Sequence, residues 1–141
     1  SGDISQIAMS AMDDWGGAIA KTAAPALVIF EGLTMYLCEA DVKRIFSVIA
    51  GRFTRATVLV ETMNHMVVRS FKEKSIEGSP AKFTWGIKNG RALAELLPDF
   101  RFVGEHSLTE GMAVFVPVYR LLGKIGLVRN ISNKISIFER I

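Results

Sequence analysis

Short unbroken apolar runs alternate along this chain with longer stretches whose apolar residues recur every three or four positions. That pattern predicts strands buried on both faces, joined by amphipathic helices. The run Ala26-Leu-Val-Ile-Phe30 passes directly into Glu31-Gly32, which predicts a buried strand delivering a carboxylate to the edge of a sheet. Residues 39–50 open with acids and set Val42, Ile45, Phe46 and Ile49 on one face, predicting a helix with Gly51 as its C-terminal cap. A second apolar run, Ala56–Thr62, predicts another strand. Strand, helix and strand of these lengths form a right-handed crossover between parallel strands.

The remaining pattern is less regular. Residues 4–21 carry Ile7, Met12, Trp15 and Ile19 at near-helical spacing, weakened by Gly16-Gly17, and predict a loop with an irregular helix. A helix is expected over 64–77, closed by the turn-rich Glu77-Gly-Ser-Pro80, and another over 89–97, stopped by Pro98. Phe100–Ser107 alternates like a half-exposed strand, with Ser107-Leu-Thr-Glu110 as a capping box for the next segment. Pro117 and several glycines make 112–128 a broken helix, and 135–141 alternates as a final strand. No repeat or low-complexity tract is present.

With 141 residues, half of them apolar, the chain has material for one core and one domain. Seventeen basic and fourteen acidic residues leave a charge of +3, scattered without a basic stripe or an aromatic platform, so no nucleic-acid partner is expected. Cys38 is the single cysteine, which excludes an internal disulfide and a cysteine metal cluster and fits a reducing cytoplasm. The first residues lack the basic and apolar regions of a signal peptide, and the apolar runs fall short of the roughly 20 residues a membrane helix needs. A cytoplasmic setting without membrane attachment is the expectation.

The strand ending in Glu31-Gly32, the Tyr36-Leu37 pair, the acid-led helix, the Trp15 segment, Phe83-Thr-Trp85-Gly86-Ile87 and the closing Lys134-Ile-Ser-Ile-Phe-Glu-Arg-Ile141 together resemble the leucine carboxyl methyltransferase family, which includes polyketide O-methyltransferases of the tetracenomycin type. The resemblance implies S-adenosylmethionine as cofactor and a small-molecule carboxylate or hydroxyl as methyl acceptor. It also implies the C-terminal half of a Rossmann-like class I methyltransferase fold, an α/β domain with a mostly parallel sheet and an antiparallel last strand beside its predecessor. The family's glycine-rich loop and ribose-binding acid are absent, so residues 1–141 read as a single partial domain, and the segment alone is expected to be inactive. Its first strand would then have lost a neighbour, so a homodimer or a separate N-terminal fragment is expected at that edge. An inactive α/β interaction module that dimerises through the same edge is the alternative.

Ligands of open α/β sheets bind beyond the carboxyl ends of the strands. Glu31 is there by sequence, and the resemblance sets it beside the cofactor; a solvent-facing or helix-capping role would look similar. Gly32 allows a tight exit and close ligand approach, as an ordinary turn glycine also would. The resemblance aligns Asp3 and Ile4 with an adenine-contacting pair, although a frayed terminus has the same sequence. Tyr36 and Trp85 match residues near the acceptor, and each also reads as a ring packed at the edge of the core. His65 follows the second strand and reads as a base or substrate contact or, equally in pattern, as a polar loop residue. No catalytic base and no metal ligand is assigned.

Overall fold

The computed structural model describes residues 4–20, 22–71, 81–115 and 133–141. Among the described residues, four strands and four helices follow in the order β1 (Ala26–Phe30), α1 (Glu39–Arg52), β2 (Ala56–Thr62), α2 (His65–Phe71), α3 (Gly90–Ala94), β3 (Phe100–Ser107), α4 (Leu108–Phe115) and β4 (Lys134–Arg140). Two 3-10 turns, Trp15–Ala18 and Thr34–Tyr36, precede and follow β1.

The strands form one mixed sheet in the order β1-β2-β4-β3. β1 and β2 pair in parallel, whereas β4 is antiparallel to both β2 and β3. The expectation of a mostly parallel sheet is therefore corrected at the level of pairing, since one pairing is parallel and two are antiparallel. The cause is where the last strand goes. β4 inserts between β2 and β3, so although β1, β2 and β3 run in one direction, two of them meet β4 instead of each other. A bulge between Phe102 and Gly104 shifts the β3–β4 register and leaves Val103 exposed.

One face of the sheet carries the core. The α1 stripe Val42, Ile45, Phe46 and Ile49 packs on Val58, Val60, Phe100 and Phe138, with Leu93 and Leu97 closing one end. Phe46 is the hub, meeting Phe30, Phe100 and Phe138 edge-on at centroid distances of 5.9, 5.0 and 5.8 Å. Such T-shaped contacts set the positive ring edge against a negative face. On the other face Leu27 and Ile29 are 64% and 61% exposed, and the register continues this apolar row through half-buried Leu59 and Ile137.

Boundaries depart from the sequence reading where tertiary contacts overrule local signals. Gly51 lies inside α1, whose cap is Phe53, donating its N–H to Ile49 O at 2.9 Å. α3 is shorter than expected, and Asn89 is its N-cap, accepting from Ala92 N. At the start of α1 the Asp41 carboxylate accepts from both the Cys38 N–H at 3.1 Å and the thiol at 3.0 Å. The thiol's hydrogen bond, then the backbone one, holds the Asp41 pKa below its ordinary value. Residues 72–80 and 116–132, where a turn-rich break and most of a broken helix were expected, lie outside the described residues.

Candidate functional site

β1 and β2 are parallel, so their carboxyl ends emerge side by side, with Phe30 in register with Val60. Each apolar run ends on a glutamate, and the two have different surroundings. Glu31 is exposed just past β1, without a hydrogen bond among the described residues. Glu61 is 8% exposed within β2 and is the polar centre of this end of the sheet. One of its carboxylate oxygens accepts from Gly32 N at 2.9 Å and the other from Asn133 Nδ2 at 2.7 Å. Its backbone carbonyl accepts from Thr34 Oγ1 at 2.6 Å. One residue thus ties the β1 exit loop, β2 and the approach to β4.

The turn held by Glu61 has a backbone that glycine makes possible. Gly32 has φ +63°, a left-handed conformation costly for residues with a Cβ, and a Cβ placed there would meet nothing within 4 Å. The loop therefore takes a turn that glycine adopts without steric cost, and it is open on its outer side. Thr34–Tyr36 follows as a tight turn with Met35 buried beneath it.

A second segment closes over that turn. Met35 O accepts from Thr84 N at 2.8 Å, Leu37 O accepts from Thr84 Oγ1 at 2.8 Å, and Ile87 N donates to Met63 O at 2.9 Å. Gly86 makes this crossing possible, because a Cβ there would lie 2.8 Å from Met63 O and 2.9 Å from His65 Cα. Phe83 stacks at a tilt on Tyr36, centroids 5.4 Å apart, and joins a small cluster with Met35, Met63 and Val68. Tyr36 remains partly exposed and Met66 is largely so.

The structure therefore gathers Glu31, Gly32 and Tyr36 in one loop beside Phe83. His65 opens α2 with its side chain exposed, at the end of the neighbouring strand. Asn64 forms the junction, accepting from Met66 N through its side chain. Trp85 packs instead on the main core cluster. Ile4 is 92% exposed, and Asp3 lies outside the described residues. Glu61 escaped the sequence reading, and the available signal was its repetition of the β1 pattern, an apolar run ending on Glu.

Chemically, the loop offers an exposed carboxylate at a strand end, beside an aromatic and methionine-rich wall. Those groups suit hydroxyl-bearing and apolar portions of one ligand. Among the described residues no cluster of three or more His, Cys, Asp or Glu is placed to hold a metal ion, and no helix is long and apolar enough to cross a membrane.

No family model matches the chain. Over 114 residues, 79% of its length, it is 30% identical to the tetracenomycin polyketide synthesis O-methyltransferase TcmP of Streptomyces glaucescens. The matched stretch is 42% of that enzyme, so the chain spans under half the length of the curated relative it matches. The likeness is thus to a methyltransferase on the polyketide side of the resemblance drawn from the sequence.

Proposed function

We propose that the chain is the C-terminal half of an S-adenosylmethionine-dependent O-methyltransferase of the leucine carboxyl methyltransferase family, acting in the cytoplasm on a carboxylate or hydroxyl of a polyketide-like small molecule. One observation carries the reading: the 30% identity to TcmP runs across most of a chain whose sheet inserts its antiparallel last strand between two like-directed ones. The cofactor, when bound, supplies an electrophilic methyl group on a sulfonium. The chain's own part is to hold the ligands and exclude water.

In this reading Glu31 accepts hydrogen bonds from cofactor hydroxyls, and Gly32 lets the backbone approach closely because its outer side is open. Asp3 and Ile4 belong to the adenine side. Tyr36 and Phe83 form the aromatic wall against the acceptor, with Trp85 behind them and His65 at the neighbouring strand end. Glu61 acts as a positioning residue through Gly32.

Backbone amide spectra of the chain titrated with S-adenosylhomocysteine test this. Binding near millimolar, about 4 kcal/mol, with shifts centred on residues 31–37 is expected. No shift at Gly32 at saturating ligand would overturn the site. Sub-micromolar affinity, more than about 8 kcal/mol, would overturn the half-domain reading.

The open flank of β1 belongs to the same proposal. Among the described residues β1 is an outer strand, and its backbone edge and the exposed Leu27 and Ile29 face call for another polypeptide, an N-terminal portion or, for this chain alone, a second copy. Gel filtration with mass detection is expected to return a dimer, and Ile29→Lys to shift it toward monomer. A monomeric parent chain at high concentration would defeat this part of the proposal.

A further inference from the structure

On the outer side of α1, away from the strand ends, the helix and the turn Trp15–Ala18 enclose a cleft of about 480 Å³. Its walls include Asp14, Gly16, Gly17, Arg44, Ser47 and Arg52. Arg44, Ser47, Val48, Gly51 and Arg52 recur at helical spacing, forming a stripe on α1 separate from the one buried in the core. The facing turn is anchored: the Trp15 indole N–H donates to Ala11 O at 3.1 Å, and the ring packs against the core cluster. Gly16 is seated so closely that a Cβ would lie 3.3 Å from Val48 Cγ1, whereas Gly17 faces open space. Both walls are therefore fixed by packing.

The polar groups in the cleft are unmatched. Arg52 lines the cleft, and its Nε, buried behind the cleft surface, has no hydrogen-bond partner among the described residues. Its position in the last helical turn accounts for a positive charge there, through the helix dipole, but not for a buried donor left empty. Such a group costs about 1–3 kcal/mol, and more when charged, unless an acceptor reaches it. Arg44 influences Asp41 electrostatically, yet forms no ion pair or hydrogen bond among the described residues. Asp14, the one acid in the wall, likewise pairs with neither arginine and caps nothing.

Two guanidiniums, a serine hydroxyl and a glycine backbone against one carboxylate leave a net positive cleft rich in donors. Guanidinium forks match the oxygens of phosphate and bind them in pairs. A lone carboxylate nearby repels a second anion and accepts from hydroxyls. The volume is within the usual range for a small-molecule site. We infer that this cleft binds a small hydroxylated organic phosphate, with Arg44 and Arg52 on the phosphate oxygens, Ser47 donating to them, and Asp14 accepting from a ligand hydroxyl. The site is separate from the methyl-transfer reading and does not rest on it.

Titrating the isotope-labelled chain with glycerol 3-phosphate, with inorganic phosphate and glycerol in parallel arms, tests the inference. Glycerol 3-phosphate is expected to shift the Gly16, Gly17 and Ser47 amides and the Arg52 Nε–H, and to bind more tightly than inorganic phosphate, with glycerol inert. Arg52→Gln and Arg44→Gln should each weaken binding about tenfold, a change of roughly 1.4 kcal/mol. Asp14→Ala should weaken glycerol 3-phosphate and not inorganic phosphate. Both arginine variants should keep the parent amide spectrum elsewhere, since Arg44 is exposed and Arg52 lies on the outer stripe. Unchanged affinity in the two variants, or shifts spread over exposed cations such as Arg101, would overturn the site. Equal affinity for inorganic phosphate would overturn the organic ligand.

Discussion

Phe46→Ala is expected to lower the stability of the chain by about 3–5 kcal/mol, the usual cost of emptying an aromatic position in a core. Whole domains are stable by only about 5–15 kcal/mol, so this one change should bring the fold close to its unfolding threshold. The reason lies in what the ring joins. Phe46 is 1% exposed on α1 and touches Phe30 of β1, Phe100 of β3 and Phe138 of β4, so it links the helix to three of the four strands. Phe30 is half-buried at the open flank and is not expected to move inward to fill the void. Urea unfolding followed by circular dichroism should show a lower midpoint at an unchanged slope. A loss under about 1 kcal/mol, the range of volume-conserving swaps, would mean the core repacks around the site.

Glu61→Ala is expected to cost about 2–3 kcal/mol and to free the Gly32 loop, whereas Glu61→Gln should cost much less. The carboxylate is buried and accepts from two donors, Gly32 N and Asn133 Nδ2. Hydrogen bonds to charged groups carry about 1.5–3 kcal/mol, and removing the acceptor strands both donors. Glutamine keeps one oxygen for Gly32, and a half-turn of the Asn133 amide presents its oxygen to the new NH₂, so the count of bonds survives. Hydrogen exchange at the Gly32 amide is the direct readout. It should accelerate strongly in the alanine variant and little in the glutamine one. Equal exchange in all three proteins would show that the loop holds its shape without Glu61.

What could be read from the residues, and what could not, divides along the range of the forces involved. β1 and β2 matched their apolar runs because a buried parallel strand needs little beyond uninterrupted apolar character. α1 was legible from the spacing of Val42, Ile45, Phe46 and Ile49, the four residues that became its core face. Gly51 misled because its lack of a Cβ is a local cue, whereas the helix end is set by Phe53, whose ring is drawn into the core. At the other end of α1 the capping carboxylate comes from Asp41, three residues into the chain from Cys38, and not from the residue at the cap itself.

The candidate site shows the same division. Glu31, Gly32 and Tyr36 are close in sequence, and their shared loop followed from the strand before them. Glu61 bonds to groups 29 and 72 residues away, and no window along the chain contains that relation. Phe83 could be seen as aromatic but not as the partner of Tyr36, because the segment carrying it is positioned by backbone bonds to Met35 and Met63. The antiparallel last strand beside its predecessor is as the resemblance implied, whereas the mostly parallel sheet was the miss, since the alternation in residues 135–141 says strand without saying that it also pairs with β2.

That insertion of β4 bears on how the molecule is made. β2 and β3 have no direct pairing with each other, and each pairs with the strand that ends at Arg140. During translation the nascent chain can assemble α1 on β1 and β2, but the gap beside β2 stays open until residue 140 has cleared the ribosome. Contacts between such distant parts of a sequence form slowly, so filling the gap between β2 and β3 is expected to be the late step in assembling this sheet.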